Sequence, residues 1–197
     1  MKITAADFLT SSPDFETCPE SGLQEFAFIG RSNVGKSSLL NLLANRKDLA
    51  KVSSTPGATR LINFFVMNKA WMLVDLPGYG YAKVRKESRQ EFQKAVSDYL
   101  SQREQLRCVF VLIDSRLTPQ AIDLDFCDWL AVGGIPFALV FTKTDKSKAN
   151  KVKSNVALFL EALSERCEGE PRYFQTSTKT GKGRGEVLEF VEQVLKA

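Results

Sequence analysis

The sequence predicts an α/β protein built on a mostly parallel six-stranded sheet, with one antiparallel strand and helices on both faces. Three observations predict it. Short apolar runs alternate with stretches whose apolar residues recur at helical spacing, the pattern of parallel strands joined by crossover helices. The first run, Phe26 to Ile29, passes at once into a glycine-containing turn and an apolar helix start near Ser37. Two adjacent runs, Leu61 to Met67 and Trp71 to Val74, break the alternation; the turn-like Asn68-Lys69 between them makes a hairpin that supplies the antiparallel strand.

The remaining strands follow in order: Leu106 to Ile113, Phe137 to Phe141, and the shorter Arg172 to Gln175. Phe92, Ala95, Val96 and Tyr99 form one helical stripe; Val152, Val156, Phe159, Leu160 and Leu163 form another. Val187, Phe190, Val191 and Val194 give the last helix its inner face. These stripes are core and carry no chemistry. Residues 1 to about 22 are expected as a loosely held leader with a short strand at most. The segments Ser53 to Arg60 and Gly78 to Glu87 are polar, glycine-containing loops and candidates for mobile elements.

At 197 residues, 44% of them hydrophobic and 25% charged, the chain fits one compact domain with its own core. Such a domain needs no partner to close it, and a monomer is expected. No apolar run approaches the roughly 20 residues of a membrane helix. Met1 to Glu20 lacks the basic start and apolar centre of a signal peptide. The expectation is a cytoplasmic protein with no membrane partner. Cys18, Cys108, Cys127 and Cys167 are scattered and read as reduced, small apolar side chains. The chain has no histidine, which excludes Ser-His-Asp and Cys-His catalysis and histidine metal centres. The formal charge of +4 is compatible with a nucleic-acid partner but does not establish one, since a solvated Lys/Arg surface is the commoner source of such a balance.

Gly30-Arg31-Ser32-Asn33-Val34-Gly35-Lys36-Ser37 matches GxxxxGK[ST], between a strand and a helix as that motif requires. The glycines let the backbone curl so that successive N–H groups face an anion, and the helix N-terminus adds its positive dipole end. Lys36 would reach the β- and γ-phosphates of a nucleotide, and the Ser37 hydroxyl would ligate Mg. Asp75-Leu76-Pro77-Gly78 ends the second hairpin strand. Its carboxylate can hold the Mg shell through water and its Gly78 N–H can contact a γ-phosphate, although Asp-x-Pro-Gly is also a good turn sequence. Thr142-Lys143-Thr144-Asp145 follows the Phe137 strand and fits [NT]KxD, which selects guanine. One carboxylate accepts from both N1–H and the 2-amino group, a donor pair adenine lacks. The Lys143 stem can lie across the base, and the backbone of Thr176-Ser177-Thr178 could meet the guanine O6 edge. GTP or GDP with Mg is therefore the expected ligand.

These stretches together make the chain look like a translation-factor-like P-loop GTPase. Within that group it closely resembles the EngB family, also called YihA or YsxC, of bacterial ribosome-biogenesis GTP-binding proteins. The likeness runs from residue 25 onward, through GRSNVGKSSLLNLL, STPGATRLINFF, the family-specific VDLPGYGYAKV and FTKTDK. It implies a single Ras-like domain over residues 23–197, preceded by a leader over 1–22. It also implies association with the large ribosomal subunit or its precursors, including rRNA, and a link to cell division and septation. By position it places Gly57, Ala58, Thr59, Arg60 and Leu61 at the nucleotide. Thr59 becomes the threonine that contacts Mg and the γ-phosphate; from the residues alone Thr55 would serve as well. Family members often carry arginine where Ala58 stands.

Lys36, Thr59 and Gly78 are the candidate catalytic residues, and Ser37 and Thr59 the candidate metal ligands. Ras-type enzymes place a water-orienting Gln just after DxxG; here that position is Tyr79, which predicts slow intrinsic hydrolysis. In related GTPases an Asn at the position of Asn33 helps bind a potassium ion bridging the phosphates; the other reading is that Asn33 only shapes the loop. Arg85, Lys86 and Arg89, with Lys146, Lys148, Lys151 and Lys153, fit either an RNA-facing surface or the wet side of helices. Three functions stay in view: a GTPase switch, a GTP-gated ribosome-binding module with negligible turnover, and an ATP-using P-loop kinase, against which Asp145 argues.

Overall fold

The computed structural model describes residues 1–50, 61–79 and 86–197, with 86–93 described by backbone only. The elements in chain order are β1 (Ala6–Ser12), β2 (Glu25–Gly30), α1 (Lys36–Ala44), β3 (Ile62–Met67), β4 (Trp71–Asp75) and α2 (Lys86–Gln102). They continue with β5 (Leu106–Asp114), α3 (Ala121–Val132), β6 (Phe137–Thr142), α4 (Ala149–Ser164), β7 (Tyr173–Gln175) and α5 (Arg184–Lys196). The strands form one sheet in the order β1-β3-β4-β2-β5-β6-β7. β3 is antiparallel to both its neighbours, β1 and β4, and the β4-β2-β5-β6-β7 pairings are parallel. The fold class matches the sequence expectation, with one difference.

That difference is the strand count, seven instead of six. The added strand is β1, which lies in the segment expected to be loosely held and pairs with β3 from Ala6↔Met67 to Ser12↔Ile62. Asn68, at the hairpin turn with φ 51°, fixes its start: the side-chain oxygen accepts from the Thr4 and Ala5 N–H groups, and the amide donates to the Lys2 carbonyl. One asparagine thus forms the left-handed turn and pins the Lys2 to Ala5 segment.

Helices cover both faces. Leu39, Leu40 and Leu43 of α1 and Val187, Leu188 and Val191 of α5 pack on one side of the sheet. Val96, Tyr99 and Leu100 of α2, Leu124, Cys127 and Leu130 of α3, and Val152, Val156, Phe159 and Leu163 of α4 pack on the other. The expected stripes are the ones buried, with Leu160, Phe190 and Val194 partly so; the Phe92 side chain lies outside the described residues. β2 and β4 are buried along their whole length, as central strands covered on both faces must be. None of the described helices is long and apolar enough to cross a membrane.

The helices after β2 and β5 leave to opposite faces, so the C-terminal ends of these neighbouring strands open a crevice, the usual ligand position in such sheets. The opposite end is closed by a buried ion pair. Glu25, fully buried at the start of β2, receives Arg103 Nε at 3.1 and 3.0 Å, Arg103 Nη2 at 2.6 Å and the Tyr99 hydroxyl at 2.7 Å. Arg103 also donates to the Pro19 carbonyl, tying the segment before β2 to this end of the sheet.

Candidate nucleotide site

Gly30 ends β2, and the loop that follows enters α1 at Gly35, whose φ of 105° is open only to glycine at low cost. Ser32 and Asn33 are exposed, Val34 is buried, and Arg31 and Gly35 to Ser37 are half-buried. Asn33 has φ 63°, a left-handed conformation that asparagine tolerates. Thr142, at the end of β6, donates its hydroxyl to the Val34 carbonyl at 2.6 Å and so braces the loop against the sheet. Lys143 adds a second brace, its ammonium donating to the Asn33 carbonyl at 2.5 Å. The sequence brings these segments together at one end of the sheet, as their motifs require.

Lys36, the first residue of α1, forms an ion pair with Asp75 at the end of β4. Asp75 is 3% exposed and Lys36 is its cationic partner. Leu76 continues past the strand, its N–H on the Phe28 carbonyl at 3.0 Å, and it and Pro77 are buried. Gly78 then lies directly on the loop: a Cβ there would stand 2.6 Å from the Gly30 carbonyl oxygen. Alanine at Gly78 would force the two segments apart. The next residue, Tyr79, turns towards α3, where its hydroxyl donates to Asp123 at 2.8 Å.

At the other end of the crevice, Thr144 donates both its N–H and its hydroxyl to the Thr176 carbonyl, at 3.2 and 3.1 Å. This joins the loop after β6 to the loop after β7. The Ser177 hydroxyl donates to Asp145 Oδ1 at 2.7 Å, a bond that holds the carboxyl below the usual carboxylate range. Asp145 Oδ2 is shielded from water and has no hydrogen-bond partner among the described residues. A shielded carboxylate oxygen without a donor is uncommon in folded proteins and fits a site that takes its donor from a ligand. Thr176 and Ser177 are buried and Thr178 is exposed.

Three residues outside the motifs belong to the same surroundings. Asp114, the last residue of β5, accepts from Lys143 Nζ at 2.9 Å and from both Nε and Nη2 of Arg116. Burial pushes its carboxyl up, but the hydrogen bonds from Arg116 and Lys143 outweigh this and bring it down to about 2. Asp114 thereby fixes the ammonium end of Lys143 and leaves the stem beside Gly35, 3.7 Å from where a Cβ would stand. Asp123 is the third. The position of Asp114, at a strand end on the switch point, is a signal that could have found it; Asp123 sits inside a helix with no such mark. Leu61 is exposed just before β3, and Gly57, Ala58, Thr59 and Arg60 lie outside the described residues.

Comparison with known proteins gives the family. The family model described as 50S ribosome-binding GTPase matches residues 25–143, a span that takes in the phosphate loop, Asp75 and the start of TKTD. This chain is a P-loop GTPase, and it binds guanine nucleotides. A curated protein of Bacteroides fragilis named "Probable GTP-binding protein EngB" is 50% identical over 196 residues, covering 100% of this chain and 98% of its own length. Its namesake in Porphyromonas gingivalis is 46% identical over 194 residues, with 98% and 96% covered. The chain belongs to the EngB family of GTP-binding proteins. Among solved structures, a probable GTP-binding protein engB shares the fold at a TM-score of 0.71, with 21% identity over 87% of this chain and 98% of that one. Era of Aquifex aeolicus does so at 0.68, with 23% identity over 88% of this chain and 56% of its own.

Proposed function

We propose that this GTPase binds GTP and GDP with Mg in the crevice described, hydrolyses GTP slowly, and serves as a switch in assembly of the large ribosomal subunit. The G domain is residues 23–197, with 1–22 a leader that adds an edge strand. The protein works as a cytoplasmic monomer, and the family likeness extends the role to normal cell division and septation. The observation that carries the nucleotide reading is Oδ2 of Asp145, which has no partner among the described residues and lies in the loop whose Lys143 braces the phosphate loop. The family description, 50S ribosome-binding GTPase, supports the ribosomal partner, including rRNA.

The backbone of Gly30 to Ser37 would cradle the phosphates, with Arg31, Ser32, Asn33 and Val34 shaping the loop. Lys36 would leave Asp75 for the β- and γ-phosphates, and Asp75 would turn to the water shell of Mg. Ser37 and Thr59 would ligate the ion. These are hard oxygen donors of the kind Mg prefers, and no group of three or more acidic, cysteine or histidine residues that could hold an ion occurs among the described residues. Bound Mg supplies charge neutralisation at the β- and γ-phosphates. Gly57 to Leu61 and Asp75 to Gly78 line the γ-phosphate side. Thr142 to Asp145 and Thr176 to Thr178 enclose guanine. Lys36, Thr59 and Gly78 stabilise the transferring group. Tyr79 stands at the position of the water-orienting Gln, and its hydroxyl is committed to Asp123; this supports a slow intrinsic rate.

The ribosomal role is tested by co-sedimentation with purified large subunits in GDP and in a non-hydrolysable GTP analogue, together with turnover with and without subunits. Binding that depends on the analogue, with faster turnover on subunits, is expected. Equal binding in both nucleotides would remove the switch. A potassium ion held by Asn33 is the second reading of that residue, whose φ already accounts for a loop-shaping role. Hydrolysis at constant ionic strength should then be several-fold faster in K than in Na, and equal rates would reduce Asn33 to loop geometry.

A further inference from the structure

Asp123 lies in the first turn of α3, is 1% exposed and belongs to none of the nucleotide motifs. Two side chains converge on it. Arg31 Nε meets Oδ1 at 3.0 Å and Oδ2 at 3.1 Å, and the Tyr79 hydroxyl meets Oδ1 at 2.8 Å. Arg31 follows Gly30, the first glycine of the phosphate loop. Tyr79 follows Gly78, the glycine read as the γ-phosphate contact. One buried carboxylate therefore holds the neighbours of both glycines, which pack so closely that a Cβ on Gly78 would stand 2.6 Å from the Gly30 carbonyl oxygen.

A buried carboxylate needs donors wherever it lies, and that alone would account for any two. Here the donors come from the two segments read as phosphate contacts and not from α3's own neighbourhood. The Tyr79 ring is fixed as well. It stacks on Phe126 with centroids 4.5 Å apart and planes at 24°, and Phe126 stacks on Trp129 at 5.9 Å and 27°. A side chain clamped at its ring and its hydroxyl leaves little freedom to the backbone one residue back.

We propose that Asp123 is a positioning residue for GTP hydrolysis: by anchoring Arg31 and Tyr79 on one carboxylate it sets the Gly78 N–H against the phosphate loop. The proposal rests on the reading of Gly78 as the γ-phosphate contact. Groups aimed at developing charge lose effect when displaced by a fraction of an ångström to an ångström, so loosening the anchor acts on the rate more than on nucleotide affinity.

The test uses the full chain as wild type, Tyr79→Phe, Asp123→Asn and the double variant. Tyr79→Phe keeps the ring on Phe126 and deletes only the hydroxyl, so it is expected to fold as the wild type does. Single-turnover GTP hydrolysis, GDP affinity, and the tryptophan emission change on adding a GTP analogue are measured for each. Each single variant should hydrolyse about tenfold more slowly, with GDP affinity within about twofold of wild type. The double variant should be no slower than the slower single one, because both act through one anchor. The emission change, to which Trp129 contributes through its stack, should shrink in Tyr79→Phe. An unchanged rate in Tyr79→Phe, or losses that multiply in the double variant, would overturn the proposal. So would a parallel fall of rate and GDP affinity in both single variants, which marks a merely structural role. Lys36→Ala separates the underlying reading: if it hydrolyses GTP as the wild type does, the phosphate-site assignment itself fails.

Discussion

Asp145→Ala should lose guanine-nucleotide affinity by on the order of a hundredfold or more, measured by calorimetry with GDP and a GTP analogue. Two N–H groups of the base donate to one ionised carboxylate in this reading, and hydrogen bonds to charged groups contribute roughly 1.5–3 kcal/mol each. The Ser177 hydroxyl already orients Oδ1, so the carboxylate meets the base without first being fixed in place. Adenine nucleotides should bind neither form well, because the wild-type site would face them with an unpaired carboxylate. The variant should fold normally, since Asp145 is half-buried at the rim and its side-chain partner among the described residues, Ser177, can turn to water. Unchanged GDP affinity in Asp145→Ala, or wild-type binding of ATP as tight as GTP, would contradict the guanine assignment.

Arg103→Ala should be the most destabilising single change at the far end of the sheet. It strands Glu25, which is fully buried, with the Tyr99 hydroxyl as its one side-chain donor among the described residues, and it frees the Pro19 carbonyl. Removing one partner of a buried ion pair costs about 3–5 kcal/mol. In a domain of this size that is a fall of roughly 10 °C in Tm by calorimetric scan. The loss comes from the stranded charge and not from the pair's own strength. Replacing the cluster by apolar residues, Glu25→Leu with Tyr99→Phe and Arg103→Met, should therefore recover most of it. Guanine selectivity should persist in every variant, because the cluster lies across the sheet from the crevice. A single variant within about 1 kcal/mol of wild type would show that water reaches Glu25 once the arginine is gone.

The parts of this molecule legible from sequence are those where one local pattern decides the structure. The phosphate loop is one, since glycines, strand and helix are consecutive. The β3-β4 hairpin is another, with Asn68 and Lys69 both taking the positive φ their turn needs. β1 escaped because its burial does not alternate: Phe8 and Leu9 are both exposed, and its partner residues lie fifty or more positions ahead, from Ser12↔Ile62 to Ala6↔Met67. α3 escaped for a related reason. Ala121, Ile122, Leu124, Phe126, Cys127, Trp129, Leu130, Ala131 and Val132 put apolar side chains all round the helix, so no stripe stands out. Asp123 went with it, since its meaning depends on Arg31 and Tyr79 arriving from elsewhere. Lys143 was found as a motif residue, but the anchor for its ammonium, Asp114, becomes visible only when β5 and β6 lie side by side.

The pairing of β1 with β3 also bears on how the protein behaves in crowded solution. Without β1 the free margin of the sheet would be Ile62-Asn63-Phe64-Phe65-Val66-Met67, six uncharged residues with no proline. Such a strand is prone to zipper onto its counterpart in another molecule and seed fibres. β1 covers it with a margin that carries the exposed Asp7 and an irregular step between Phe8 and Thr10, features that discourage further strand addition. Deleting residues 1–12 should therefore raise the tendency of the protein to aggregate at high concentration, as read by light scattering.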